Sequence, residues 1–173
     1  MDRRLRTPEI LVVIGACLFI LVLFVSAVFE ADIRWLHFFQ AWMYVFAIAF
    51  TLRGNRWGYF VGFSAAALWD YTSVFANTFF LSGLRELANW IHTGRLARAD
   101  QVIAVPAWLG NLLVVVGCVW AYNRHVKERR GDLLRLLLAF SLTTAFFAAD
   151  MAIFQPRYLA LFPRLLHPHN PFN

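Results

Sequence analysis

The chain has 173 residues, 61% of them hydrophobic and 17% aromatic, with a formal charge of +6. Soluble domains average about 45–50% apolar residues, so this excess, gathered in long runs, excludes an ordinary water-soluble core. The positive charge does not mark a nucleic-acid partner, because the basic residues sit at the ends of apolar runs rather than on a polar domain.

Residues 1–8 are short and basic, with Arg3, Arg4 and Arg6. The first apolar run, 9–29, is longer than the roughly 7–15 residues of a signal-peptide core, and further runs follow it. We therefore expect an uncleaved first helix. Residues 30–34 are a short polar connection carrying Glu30 and Asp32. The second expected span is 35–52, and Arg53-Gly54-Asn55-Arg56 reads as a turn. On this span His37, Gln40, Tyr44, Ala47 and Thr51 recur at steps of three and four, which puts them on one helix face.

The third expected span, 58–81, holds Asp70 near its midpoint. A bilayer-crossing helix needs about 20 apolar residues, and an ionisable group at that depth costs at least a few kcal/mol unless it faces protein or water. Gly58, Gly62 and Ala66 form a small-residue ladder leading to Asp70, which lets a neighbouring helix approach closely. Asp70, Ser73 and Asn77 share a face. Residues 83–93 place Leu84, Leu87 and Ile91 at helical spacing and predict an amphipathic surface helix ended by Thr93-Gly94.

The fourth span is expected at 102–122, with Asn111 near its middle and Gly110 and Gly117 aligned. A basic loop with Arg124, Lys127, Arg129 and Arg130 leads to the fifth span, 133–154, where Thr143 and Asp150 lie seven apart and share a face. Asp150 stands near the end of its span, within reach of water or of Arg157. The tail, 155–173, opens with the pattern of a second surface helix through Tyr158, Leu161, Phe162 and Leu165 and is expected to lose regular structure at its prolines.

The fold expected is thus all-α: one polytopic membrane domain over 1–173, a bundle of five transmembrane helices with a short surface helix. Counting short loops, nine basic residues (Arg3, Arg4, Arg6, Arg53, Arg56, Arg124, Lys127, Arg129, Arg130) face six on the other side (Arg34, Arg85, Arg95, Arg98, Arg157, Arg164). That bias predicts a cytoplasmic N-terminus, an outer C-terminus and residence in the plasma (inner) membrane. No internal repeat supports an inverted-repeat transporter.

With that orientation the intramembrane polar groups gather in the outer half. We expect an outward-opening polar pocket centred on Asp70, lined by His37, Gln40, Asn77, Asn111 and Asp150. Glu30 and Asp32 stand at its mouth, with His92 nearby. Such a pocket binds or transports a small molecule or ion. One alternative is a membrane-embedded enzyme on a lipid-like substrate, with Asp70 and Asp150 as acid and base. Another is an assembly subunit whose Gly58/Gly62/Ala66 ladder docks a membrane-protein partner or a second copy. The candidate metal ligands, including His167 and His169, show no paired spacing on a helix, and Cys17 and Cys118 form no disulfide framework, so no metal or cofactor is expected. The partners expected are the lipid bilayer, a small-molecule or ion ligand, and a membrane-protein partner or second copy, with no nucleic acid.

Overall fold

The computed structural model describes residues 6–127 and 129–166, and among these there is no β-strand. The expected positions Arg3, Arg4, His167 and His169 lie outside the described residues, as do the side chains of Phe162 and Leu165. The helices are α1 (Thr7–Phe29), α2 (Arg34–Leu52), α3 (Trp57–Tyr71), α4 (Phe79–Thr93), α5 (Ala99–Val102), α6 (Ala104–His125), α7 (Asp132–Phe154) and α8 (Leu161–Leu166). Four helical stretches are long and apolar enough to cross a membrane: Thr7–Phe29, Ala31–Leu52, Ala99–His125 and Asp132–Phe154. They turn large apolar side chains outward, among them Val28 (82% exposed), Leu133 (71%) and Ile153 (71%). In water such a surface would be costly, so it points to membrane association.

The third expected span is corrected. The helix does not run from 58 to 81 but gives way after Tyr71 to a π-helical stretch, Thr72–Ala76, and ends at Asn77. The cause lies in side chains that compete for the backbone. Thr72 Oγ1 donates to Leu68 O at 2.7 Å and Ser73 Oγ to Asp70 O at 2.9 Å, while Asn77 N reaches Thr72 O at 3.0 Å, one residue wider than an α-turn. Thr78 then takes a left-handed φ of 56°, and Asn77 Oδ1 accepts from Phe79 N at 2.9 Å, opening α4. The apolar run Phe79-Phe80-Leu81 therefore belongs to α4, which starts earlier than the expected surface helix and ends at Gly94, as its sequence predicts.

Small residues set the packing. A Cβ built on Gly15 would lie 2.5 Å from Gly110 O, and one on Gly117 would lie 2.9 Å from Pro8 O. Helices α1 and α6 thus run antiparallel in near backbone contact, the kind of approach that holds helices together where lipid removes the hydrophobic drive. The Gly58/Gly62/Ala66 ladder is used within the chain. A Cβ on Gly58 would meet Thr51 N at 2.6 Å, one on Gly62 would meet Cys118 Sγ at 3.0 Å, and Ala66 is fully buried. Helices α2 and α6 cover the ladder, so a second chain has no access to it.

Polar groups fasten both ends of the bundle. At one end Glu9, fully buried, accepts from Tyr59 Oη at 3.0 Å and from Arg6 N at 3.1 Å, with His125 Nδ1 at 4.0 Å. Beside it Asp132 receives Arg56 at 3.0 Å, Arg135, and Tyr122 Oη at 3.1 Å. At the other end Arg157 holds Glu30 at 2.7 Å and Asp32 at 2.9 Å, and Gln155 Nε2 donates to Asp32 O at 2.7 Å. The first interhelical connection is thereby tied to the segment that follows α7.

Candidate ligand-binding cavity

At the Glu30 end the helices diverge around a cavity of about 370 Å³. Its wall is mostly apolar: Phe19, Val22 and Leu23 of α1, Leu36 of α2, Leu68 and Trp69 of α3, Ala107 of α6, Phe147 and Met151 of α7. Phe79, at the start of α4, and Leu161, at the start of α8, close it from the side of the connecting segments. Glu30, Arg98, Asp100, Gln101 and Tyr158 form the polar rim. Burial and the nearby Glu30 carboxylate push the Tyr158 hydroxyl above its ordinary range, so it stands at the rim as a neutral group.

Of the expected site residues, His37, Gln40 and Asn77 are on this wall, and so is Glu30. His37 Nδ1 lies 2.6 Å from Ser26 Oγ and 3.0 Å from Leu23 O, which fixes the ring against α1. With Nδ1 engaged, Nε2 is the ring nitrogen left for a ligand. Gln40 is 6% exposed and sits one turn before Tyr44 on the same buried face of α2, as the stripe spacing predicts. Asn77 uses its carboxamide oxygen to open α4.

Asp70, Asn111 and Asp150 do not line the cavity, which corrects the expected centre. Successive residues on a helix are turned by about 100°, so Leu68, Trp69 and Thr72 face the cavity while Asp70 turns toward α6. There it meets Asn111. The meeting falls outside direct hydrogen-bond geometry: Asp70 Oδ1 and Asn111 Nδ2 are both buried with no hydrogen-bond partner among the described residues. Asn111 Oδ1 instead accepts from Tyr44 Oη at 2.7 Å. Asn111 lies one turn beyond the wall residue Ala107 on α6. The Phe19 ring, on the wall, packs at 4.4 Å on Tyr44 and edge-on at 5.0 Å on Trp69. The cavity therefore ends on an aromatic floor, with the Tyr44–Asn111–Asp70 group directly beyond it.

Asp150 is 4% exposed, and neither of its oxygens has a hydrogen-bond partner among the described residues. Its expected neighbour Arg157 is engaged by Glu30 and Asp32 instead. Asp32 is half exposed in that pair, and His92 is exposed near the end of α4, away from the wall. Three features escape a reading of the sequence: Glu9 as a buried acid, the Phe19–Trp69 floor, and the rim built by residues 98–101. Glu9 had a visible signal, since Pro8-Glu9 in a first helical turn is where a carboxylate reaches back to the backbone. No known protein family, curated protein or solved structure matches this chain.

Proposed function

We propose that the chain is an integral membrane protein that binds a small amphiphile in the cavity at the Glu30 end, which opens on the outer face. The observation that carries this reading is the lining itself: a mostly apolar body some 370 Å³ in volume, with few polar groups on the wall (Ser26, His37, Gln40, Thr72 and Asn77) and the charged groups at the rim. That division suits a ligand with an apolar tail and a small polar head, and the volume falls within the range of about 300–1,000 Å³ usual for ligand sites. The catalytic alternative gains no support, because neither Asp70 nor Asp150 joins the wall.

A filling substitution tests the reading. Binding of 1-decanol to the protein in nanodiscs, measured above partition into empty discs, is expected to fall about tenfold or more in Leu68→Trp, since the larger ring occupies the site. Equal binding in both proteins overturns it.

The same proposal holds that α3 with its π-helical stretch is a fifth crossing, with the N-terminus cytoplasmic and the C-terminus outside. Residues 57–76 supply 20 helical positions, enclosed by α2, α6 and α7. In a Cys17→Ala, Cys118→Ala background, an impermeant maleimide added to intact cells is expected to label Ala97→Cys and to spare Arg53→Cys. Labelling of both from the same side would remove the third crossing.

A further inference from the structure

We propose that the cavity selects a hydrophobic organic cation. This deepens the amphiphile reading and rests on it. The aromatic share of the wall is high: Phe19, Trp69, Phe79 and Phe147 come from four different helices. Ring faces attract an alkylammonium group, most strongly where water is excluded.

The charges around the cavity favour the same sign. At the rim, Arg98 is committed to Asp100 at 3.0 Å, and Arg157 is shared between Glu30 and Asp32. In these pairs three carboxylates face two guanidinium groups, while a third guanidinium, that of Arg164, is held by Ala76 O beside Asn77. Two more carboxyl groups stand immediately behind the wall. Asp70 follows Trp69 on α3, and Asp150 lies between Phe147 and Met151 on α7. Among the described residues neither forms a salt bridge, and Asp150 keeps both oxygens without a hydrogen-bond partner. A cation in the cavity would give these two carboxyl groups the counter-charge their surroundings lack and so favour their ionised form. A carboxylate or phosphate head would offer them no counter-charge and would bring like charge to Glu30 and Asp100 at the rim. The cation that fits is organic rather than a metal ion, since no three ligating side chains gather among the described residues and the wall offers ring faces instead.

Three probes with one apolar body test this: decyltrimethylammonium, 1-decanol and decanoate. Each is titrated onto the wild-type protein in nanodiscs of neutral lipid, corrected for empty discs. The ammonium is expected to bind about tenfold more tightly than the alcohol, and decanoate more weakly than the alcohol. In Asp70→Asn/Asp150→Asn the ammonium-to-alcohol ratio should fall toward one. Should that double variant not fold, the ratio is read in Phe19→Leu/Phe147→Leu, where loss of two ring faces should lower it. Equal binding of all three probes to the wild type, or preference for decanoate, overturns cation selectivity and leaves the amphiphile reading standing. No binding of any probe overturns both. A ratio unchanged in the folded Asp double variant overturns the part assigned to the two carboxyls.

Discussion

Tyr44 is fully buried, and its hydroxyl has an acceptor in Asn111 Oδ1 at 2.7 Å. Removing a buried donor leaves its partner desolvated and unpaired, so Tyr44→Phe is expected to cost about 1–2 kcal/mol, read as a lower unfolding midpoint in detergent. Glu9 carries more. Glu9→Ala strips the acceptor from Tyr59 Oη and from Arg6 N at once and should destabilise by about 2–4 kcal/mol, whereas Glu9→Gln keeps an oxygen for Tyr59 and should cost less. Similar midpoints for the two variants would show that the buried acid does not organise that end. The contrast between these residues explains what a sequence discloses at this scale. Tyr44 sits in mid-span on a polar stripe and announces an inward face. Glu9 sits at a span border, where a charge usually meets water, so only its position in the first helical turn betrays the burial.

Helices α1 and α6 are separated by backbone-to-backbone distances that admit no side chain at Gly15 or Gly117. Gly15→Ala should force the pair apart and cost about 1–3 kcal/mol or prevent folding. The neighbouring change Ile14→Ala should carry no such penalty, because Ile14 is 53% exposed on the outward face of the same helix. Thr78 presents the opposite case. It holds a left-handed backbone that a β-branched residue adopts at a cost, so Thr78→Gly should raise stability by about 0.5–1 kcal/mol in the same unfolding assay. Most helix borders were legible because glycine, asparagine or charged residues interrupt the apolar runs, as at Gly54 and Gly94. The end of α3 was not, because hydropathy passes with little change from Val74-Phe75 to Phe79-Phe80 while the helical path breaks between them. What ends the helix there is a local competition of Thr72 and Ser73 for carbonyl groups, which apolar periodicity does not register.

At the scale of the molecule, the sequence placed the polar side chains on inward faces yet misjudged what they surround. His37 and Gln40 do reach the cavity, but Asp70 and Asn111 meet beyond its floor, because one residue's advance along a helix is enough to turn a side chain from a cavity to the neighbouring helix. Convergence of faces is a three-dimensional property, and spacing within each helix determines only half of it. The rim depends on still longer reach: Arg157 is bonded to Asp32 across 125 positions and to Glu30 across 127. Its loss should be felt at the cavity mouth rather than in the bundle. Arg157→Gln leaves both rim carboxylates without their counter-charge and is expected to tighten decyltrimethylammonium binding about threefold relative to 1-decanol. The unfolding midpoint should shift little, since exposed ion pairs contribute only about 0–1 kcal/mol. A large drop in the midpoint would place the pair among the structural fastenings instead.

The Arg157 link also sets an order in time. A chain made at about 5–20 residues per second leaves Glu30 and Asp32 for about 6–25 s without the arginine that neutralises them. Through that interval α1 and α2 stand with an acidic connection and no roof over their apolar ends. The nascent protein thus acquires its closed rim only after α7, the last of the long described helices, has been made.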